Sequence, residues 1–280
     1  MNIFERLSSL PYRARRTGDR VLHRSDSRVI DSFSVFAPMS AGSYRDLASL
    51  TVQAAGQTFP FMLELLASTG AKIEDPVPVT FFLDTEAKKS AAVALKELFD
   101  HYGSDKASFH DYHLLYGAVL ASRDAAAILE IGLGTNNKNV VSNMGIAGKP
   151  GASLRAFRDF LRGAQIYGAD IDQAVLFKED RIATFFVDQT DLNSFKSLGD
   201  SVPRELDLII DDGLHSPNAN LATLIFGLER LKLGGFLIVE DIHPDALAVW
   251  QVIATILPDR YSSWVVAAKG ALLFVVERLV

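Results

Sequence analysis

Short apolar runs alternate with helical stretches through the second half of the chain. Five of these runs predict strands: Ala126 to Ile131, Gln165 to Asp170, Ala183 to Val187, Leu206 to Ile210 and Gly235 to Val239. Apolar runs of this length, bounded by turn residues, are typical of strands that are buried on both faces of a parallel sheet. Between the last two runs, Asn218 to Leu231 carries leucine and isoleucine at helical spacing. Such alternation predicts right-handed crossovers and a doubly wound α/β sheet.

The end of the chain follows a different pattern. Tyr261 to Ala268 and Ala271 to Val276 are apolar runs separated by Lys269-Gly270, which predicts two strands joined by a tight turn. This pair would place an antiparallel strand at the end of the sheet and bring the total to seven strands.

The first 100 residues lack this alternation. They predict helices near Tyr44 to Ala55 and Thr85 to Tyr102, with Asp84 as candidate N-cap of the second. Pro76 and Pro78 mark a linker between them. We therefore expect residues 1–100 to form a mainly helical accessory segment, either a lid over a cleft or an oligomer contact, and residues 101–280 to form the α/β domain.

Composition narrows the function classes. The chain has 280 residues, of which 49% are apolar and 22% charged, as in an ordinary soluble enzyme. A net charge of −6 gives no reason to expect nucleic acid as a partner, and the absence of cysteine excludes thiolate chemistry. No apolar run is long enough to span a membrane and no signal-peptide core is present, so we expect a cytoplasmic protein. The arginine-rich first 24 residues favour a solvated basic end over a transit peptide or a membrane-surface helix.

Acidic residues follow two of the predicted strands. Asp211 and Asp212 come after one strand, with His215 close behind, and Glu240-Asp241 follows the next strand. Open α/β sheets bind their ligands at the carboxyl ends of the strands. The sequence therefore predicts a cleft that holds up to four carboxylates and one imidazole.

A glycine-containing turn follows the first strand. The segment Glu130-Ile-Gly-Leu-Gly134 would let the backbone turn tightly and approach a ligand. Asn137 stands where a third glycine would complete a dinucleotide fingerprint, so a plain strand-to-helix turn is the alternative. Asp170 closes the second strand and Asp188-Gln189 follows the third. An acid after the second strand can accept hydrogen bonds from ribose hydroxyls.

These features together resemble the class I S-adenosylmethionine-dependent methyltransferases, whose core is Rossmann-like, over roughly Tyr102 to Val280. Within that superfamily the chain resembles the metal-dependent sugar O-methyltransferases of macrolide biosynthesis and is similar to cephalosporin-hydroxylase-type proteins. The motifs that carry this narrower resemblance are Gly103-Ser-Asp-Lys106, Asp188-Gln189, Asp211-Asp-Gly-Leu-His215 and Glu240-Asp241.

The resemblance implies a set of residues that bind S-adenosylmethionine. Glu130, Gly132 and Gly134 would line the methionine moiety and the ribose, and Asp170 would hold the ribose hydroxyls. Asp188 and Gln189 would hold the adenine, and Ser104 to Lys106 would close over the cofactor. The roughly 30 residues between Gly134 and the second strand depart from the family pattern and suggest an insertion at the mouth of the cofactor site.

The resemblance also assigns a Mg²⁺ ion to Asp212, Glu240 and Asp241, with His215 as general base. Oxygen ligands suit Mg²⁺, and an acceptor hydroxyl bound to such a cation loses its proton more readily. Asp211 would face the cofactor or orient its loop. As an alternative, Asp212 or Ser216 would cap the helix that starts near Pro217. His215 would then be structural.

Three histidines and two tyrosines remain to be interpreted. His110 and His113 are three residues apart, which allows a zinc site on one helix face, but no acid stands at ligand spacing. A helix that leads into the core is favoured, with Tyr112 and Tyr116 as packing residues. His243 is either a second base or a solvated loop residue.

The leading hypothesis is a Mg²⁺-assisted, S-adenosylmethionine-dependent O-methyltransferase acting on a sugar or glycosylated natural product. Two alternatives remain, a nicotinamide-dependent oxidoreductase and a non-catalytic cofactor-binding module. We expect a small hydroxylated acceptor, no nucleic-acid or membrane partner, and a homo-oligomer formed through the apolar N-terminal helices.

Overall fold

A computed structural model of the chain describes residues 24–121 and 125–280. The arginine-rich N-terminal stretch lies outside the described residues. Contacts divide the chain into two compact units, Met1–Lys72 and Ile73–Val280. The boundary comes earlier than residue 100, so the second predicted helix of the accessory segment packs with the larger unit.

The smaller unit contains helices α1 (Arg24–Ser32) and α2 (Tyr44–Ser68). Helix α2 begins where the sequence predicts, because the hydroxyl of Ser43 accepts a hydrogen bond from the backbone amide of Asp46 at 3.2 Å. It continues well past the predicted end at Ala55 and accommodates Pro60 in its interior. In the described part of the chain, no helix combines the length and the apolar character that crossing a bilayer requires.

The larger unit contains the following helices: α3 (Glu86–Tyr102), α4 (Asp105–Ser108), α5 (Tyr112–Leu120), α6 (Ala152–Phe160), α7 (Leu192–Gly199), α8 (Pro217–Leu228) and α9 (Leu247–Ile256). Its strands are β1 (Val77–Pro78), β2 (Ala127–Ile131), β3 (Gln165–Asp170), β4 (Lys178–Glu179), β5 (Ile182–Phe186), β6 (Leu206–Asp211), β7 (Leu231–Ile242), β8 (Tyr261–Ala267) and β9 (Leu272–Arg278).

Two local predictions need correction. The N-cap of α3 is Thr85, whose side chain accepts from the Lys88 amide, whereas Asp84 forms an ion pair with the Lys88 side chain at 2.8 Å. The presumed insertion after Gly134 also contains α6, an ordinary crossover helix. This helix is amphipathic, with Leu154 and Phe157 fully buried on one face.

In the described residues the strands form one sheet in the order β1-β8-β9-β7-β6-β2-β3-β5-β4. Strands β7, β6, β2, β3 and β5 run parallel to one another, β9 lies antiparallel between β7 and β8, and β4 pairs antiparallel with β5. This confirms the predicted α/β class and the antiparallel end. The predicted number of seven strands corresponds to the longer ones. The two-residue strands β1 and β4 extend the edges to nine, and they are too short for an apolar pattern to reveal.

Apolar residues cover both faces of the sheet, as a doubly wound fold requires. Along β2, Ile128 packs into the core beneath α3, α5 and α6, while Leu129 and Ile131 pack into the core beneath α7, α8 and α9. The register then aligns the strand ends. Ile131 pairs with Asp211, and Asp211 pairs with Val239, so the loops after β2, β6 and β7 meet at one edge.

Candidate active site

The loop after β2 forms one wall of a cavity of about 410 Å³. Gly132 has φ +96°, and a Cβ there would lie 1.9 Å from the carbonyl oxygen of Asp212. Only glycine fits at this crossing of two loops. The cavity has the size of an ordinary small-molecule site and is also lined by Gly134, Asp170 and Asp188.

Asp170 and Asp188 stabilise the backbone around this cavity. Asp170 accepts hydrogen bonds from the amides of Leu133 and Asp172, each at 2.8 Å, so it ties the end of β3 to the glycine loop. Burial raises the pKa of this carboxyl above its usual value. Asp188 accepts from the amide and hydroxyl of Thr190. Both acids lie where the sequence places them.

Gln189 and Asp211 bind each other rather than facing the cavity with free polar groups. The Gln189 Nε2 donates to Asp211 Oδ1 at 2.7 Å and to the Thr223 hydroxyl at 2.9 Å, and its Oε1 accepts from the Leu214 amide. Asp211 is fully buried, lines neither cavity of this site, and also accepts from Asn220. Gln189 lines the larger cavity, and Asp211 also accepts from the Gly213 amide in its own loop.

A second cavity of about 230 Å³ adjoins the first. Ser104, Lys106, His215 and Asp241 line only this second cavity. Four residues line both cavities, namely Gly132, Gly134, Ser142 and Asp212. A ligand in one cavity can therefore reach a ligand in the other beside the Asp212 carboxylate.

Asp212, His215 and Asp241 each offer one ligand atom, and these atoms lie within 4.8 Å of one another. The His215 Nε2 is 3.9 Å from Asp212 Oδ1 and 3.9 Å from Asp241 Oδ2. His215 and Asp241 have φ values of +54° and +53°. This left-handed conformation is uncommon for non-glycine residues and clusters at functional sites.

The sequence alternatives for this loop are resolved by the same contacts. Ser216 occupies the N-cap position of α8 without a side-chain capping bond, and Asp212 binds a lysine instead of capping the helix. His243 is exposed, and its Nδ1 accepts from the Asp245 amide in the next turn. It therefore lies apart from the acid group.

Glu240 takes a different position from the one predicted for a metal ligand. It is 1% exposed and turns into the protein, where its Oε2 accepts from Lys106 Nζ at 2.6 Å and its Oε1 accepts from the Tyr116 hydroxyl. Lys106 also contacts Asp212 at 2.6 Å and Glu130 at 3.1 Å. Among the described residues, Glu240 does not belong to the group of close ligand atoms formed by Asp212, His215 and Asp241, but Lys106 links it to Asp212.

Local sequence explains how Lys106 reaches this layer. Gly103 ends α3 in the left-handed conformation, with φ +77°, and the Ser104 amide donates back to the Phe99 carbonyl at 2.8 Å. Ser104 then starts α4, and its hydroxyl accepts from the Lys106 amide. The side chain of Lys106 is 2% exposed. The motif Gly103-Ser-Asp-Lys106 indicates this segment in the sequence, but it does not predict that Lys106 binds carboxylates.

The charges in this layer are unbalanced. Burial alone would lower the pKa of Lys106, but the carboxylates of Asp212, Glu240 and Glu130 outweigh it and raise the pKa well above its usual value. Burial and then the charge of Asp212 raise the pKa of Glu240 well above its usual value. Burial likewise raises the pKa of Glu130, whose Oε2 accepts from Ser153 at 2.6 Å. The raised pKa values of Glu240 and Glu130 show that one ammonium does not fully compensate the acids around it, and a cation beside Asp212 would add compensating positive charge.

Tyr112 and Tyr116 touch the acids at the end of β7, a role that sequence reasoning missed. The Tyr112 hydroxyl donates to Asp241 Oδ1 at 2.5 Å. The Tyr116 hydroxyl donates to Glu240 Oε1. Their spacing of four residues on one helix is the signal that would have linked them. His110 stacks on Tyr112 with 5.0 Å between ring centres. Among the described residues, His110 and His113 belong to no group of metal-ligating side chains.

Comparisons with known proteins place this geometry in context. No protein-family model matches the chain. Over 153 residues it is 34% identical to the 8-demethyl-8-alpha-L-rhamnosyl tetracenomycin-C 2'-O-methyltransferase of Streptomyces olivaceus, a match that covers 54% of this chain and 38% of that enzyme. Over 96 residues it is 35% identical to the mycinamicin VI 2''-O-methyltransferase of Micromonospora griseorubida, covering 33% and 23% of the two chains.

One solved structure carries the comparison of folds. The MycE methyltransferase from the mycinamycin biosynthetic pathway, in a crystal form with Mg and SAH, aligns with 87% of this chain and 62% of its own at 20% identity and a TM-score of 0.52. The chain shares the fold of this structure over the aligned residues. The resemblance to macrolide sugar O-methyltransferases that the motifs indicate is confirmed by these relatives. Each of these matches covers less than two thirds of the relative's own chain.

Proposed function

We propose that the chain is an S-adenosylmethionine-dependent O-methyltransferase, assisted by a divalent cation, that acts on a sugar hydroxyl of a glycosylated natural product. The fold and the sequence relatives support the reaction class. The observation that carries the proposal is the meeting of the two cavities at Asp212, next to His215 and Asp241. A methyl donor and a hydroxyl acceptor would meet there.

The larger cavity fits the nucleoside end of the cofactor. Gly132 brings bare backbone to the cavity, and Asp170 and Asp188 line it. When bound, S-adenosylmethionine supplies an electrophilic methyl group. Because the polar atoms of Gln189 are engaged within the protein, we assign it to the cavity wall rather than to adenine recognition. Ser104 and Lys106 then lie on the acceptor side.

The chemistry of the donor set fits a hard divalent cation. Asp212 and Asp241 would hold it, with His215 beside them, and the excess negative charge around Lys106 favours it electrostatically. When bound, such a cation makes an acceptor hydroxyl more acidic. Two carboxylates, with further positions open to water or an acceptor hydroxyl, suit Mg²⁺ or Mn²⁺ and leave the His215 imidazole free.

The transfer step balances with residues already in place. Bound S-adenosylmethionine would supply the methyl group to the acceptor oxygen and would leave as S-adenosylhomocysteine, and the His215 Nε2 would accept the hydroxyl proton. Imidazole is the commonest general base in enzymes. Asp212 and Asp241, each 3.9 Å from this nitrogen, stabilise the positive charge that develops on it. Holding donor and acceptor in adjoining cavities supplies the proximity contribution.

Calorimetry and a methylation assay test the proposal. The chain should bind S-adenosylhomocysteine and should not bind NAD, and it should methylate a glycosylated macrolide only when a divalent cation is present. His215→Ala should reduce turnover by at least about a hundredfold, the contribution of a general base, while leaving the affinity for S-adenosylhomocysteine unchanged. Full activity in excess chelator, or binding of NAD alone, would refute the proposed reaction.

We further infer that the protein assembles as a homo-oligomer through its smaller unit. Helix α2 exposes large apolar side chains, with Leu50, Phe61 and Leu65 at 47%, 62% and 63% exposure. Exposed apolar surface of this kind marks association sites. Light scattering on the purified chain should give a mass of at least a dimer, which Phe61→Ser with Leu65→Ser should reduce. A monomeric unmodified chain would contradict this inference.

A further inference from the structure

We propose that Ile146 binds the apolar aglycone of the acceptor at the mouth of the smaller cavity, and that it makes the protein favour glycosides with such an aglycone. This inference rests on the proposed function, because it concerns the acceptor of the same reaction. It assigns a role to residues 135–150, the asparagine loop, which follows the glycine turn after β2.

The smaller cavity has room for a sugar but not for a whole glycoside. Its volume of about 230 Å³ is below the roughly 300 Å³ at which cavities for drug-sized ligands begin. Most of the residues that line it are polar or charged, which suits the hydroxyl groups of a sugar. The aglycone of a glycosylated acceptor must therefore remain outside, against the residues that border the mouth.

Ile146 lies on the part of the asparagine loop that borders this mouth. Met144 and Lys149, which precede and follow it in the chain, both line the smaller cavity. Ile146 itself lines neither cavity and is 90% exposed. Val141, which is also strongly exposed, lines the larger cavity and so lies on the cofactor side. Ile146 is therefore the residue of this loop that can offer apolar surface to an aglycone outside the smaller cavity.

Asparagine side chains hold this part of the loop in one conformation. The Nδ2 of Asn136 donates to the carbonyls of Gly145 and Gly148, which lie on either side of Ile146 in the chain. The Oδ1 of Asn143 accepts from the Gly145 amide at 3.2 Å. These bonds satisfy backbone groups that the loop does not pair in a helix or a strand, so its turn is fixed from within.

Met144 fastens the loop to the glycine turn. Its amide donates to the Thr135 carbonyl at 3.0 Å. Its side chain fills the space next to Gly134 and Gly148, where an added Cβ would lie 2.5 Å from the Met144 Sδ and 2.2 Å from its Cγ, respectively. Because the loop is already ordered, an aglycone that contacts Ile146 would not have to order it, which favours binding.

The experiment uses two acceptors that share one sugar. They are 8-demethyl-8-alpha-L-rhamnosyl tetracenomycin C, the acceptor of one relative, and methyl α-L-rhamnoside, which lacks the aglycone. Methylation by the full chain with S-adenosylmethionine and Mg²⁺ gives kcat and KM for each. Ile146→Ser should raise the KM for the rhamnosyl tetracenomycin by about tenfold and leave kcat unchanged, because a contact remote from the reacting atoms contributes uniform binding. The KM for methyl rhamnoside should stay the same, and Ile146→Leu should retain both values.

The matched control is Ile256→Ser, because Ile256 is an exposed isoleucine at the end of α9 that lines neither cavity. It should change neither KM, and circular dichroism with the affinity for S-adenosylhomocysteine establishes that each variant is folded. In the unmodified chain the rhamnosyl tetracenomycin should have the lower KM.

Three results would overturn the inference and leave the proposed function standing. They are an equal rise of both KM values in Ile146→Ser, no rise in either, and a KM for methyl rhamnoside in the unmodified chain as low as that for the larger acceptor. If the unmodified chain binds S-adenosylhomocysteine but methylates neither acceptor, both the inference and the proposed acceptor class are wrong.

Discussion

Replacing Lys106 by methionine removes the only buried ammonium group described in the site, and its cost can be worked from the contacts. The side chain is 2% exposed and faces carboxylates at 2.6 Å, 2.6 Å and 3.1 Å. At an effective dielectric constant of 20, one ion pair at 4 Å is worth about 4 kcal/mol before desolvation is counted. Breaking a buried pair by removing one partner costs about 3–5 kcal/mol. We expect Lys106→Met to lower the free energy of unfolding by about 4 kcal/mol at pH 8.

The loss should depend on pH in a defined direction. Because the pKa of Lys106 is raised, its own contribution is fully present below its unfolded value near 10.5. Glu240 and Glu130 also have raised pKa values, so they destabilise the fold as pH rises and they ionise. In Lys106→Met the pKa values of Glu240 and Glu130 should rise further, because the ammonium that stabilises their charged forms is absent. Glu240 and Glu130 then take up protons as the pH falls. The difference in free energy of unfolding between the variant and the unmodified chain should therefore shrink between pH 8 and pH 5.

Urea unfolding, followed by circular dichroism at several pH values, measures both effects. The matched control is Lys149→Met, because Lys149 is exposed and lines the same cavity as Lys106. The control should change stability by no more than about 0.5 kcal/mol. If Lys106→Met costs no more than the control, or if its deficit grows as the pH falls, the electrostatic reasoning is refuted.

Three further predictions concern the glycine loop, the acid that anchors it, and an ion pair that lines neither cavity. Gly132→Ala should destabilise the fold by about 2 kcal/mol or more and abolish binding of S-adenosylhomocysteine, because the added Cβ would collide with the Asp212 carbonyl. Thermal melts measure the stability, and calorimetry measures the binding. Asp170→Asn should weaken S-adenosylhomocysteine at least about tenfold through the loop amide it anchors; unchanged affinity would contradict that role. Arg155→Met should cost about 1 kcal/mol at pH 7, allowing for solvent screening of the partly exposed pair. Since Arg155 lowers the pKa of Glu179 from its usual 4.5, the loss should be fully present above pH 4.5 and should vanish as the pH falls through the lowered pKa. A loss that persists at still lower pH would exclude the ion pair as its cause.

The sequence by itself determined the architecture and the edge of the sheet that carries the site. The buried strands are short apolar runs, so their pattern is visible without any distant contact; Gln165–Asp170 agrees residue for residue. The acids that end β6 and β7 were also readable, because parallel strands must deliver their carboxyl ends to one edge.

Only the tertiary structure decided which way those side chains turn. Lys106 reaches Asp212 across 106 positions of sequence, and Tyr112 reaches Asp241 across 129. Glu240 and Asp241 are neighbours in the chain, yet one is buried against a lysine and the other faces a cavity. The difference arises from a register shift in β7 and from a buried charge supplied by a distant helix. A local pattern cannot encode either, because both depend on which segments the fold brings together.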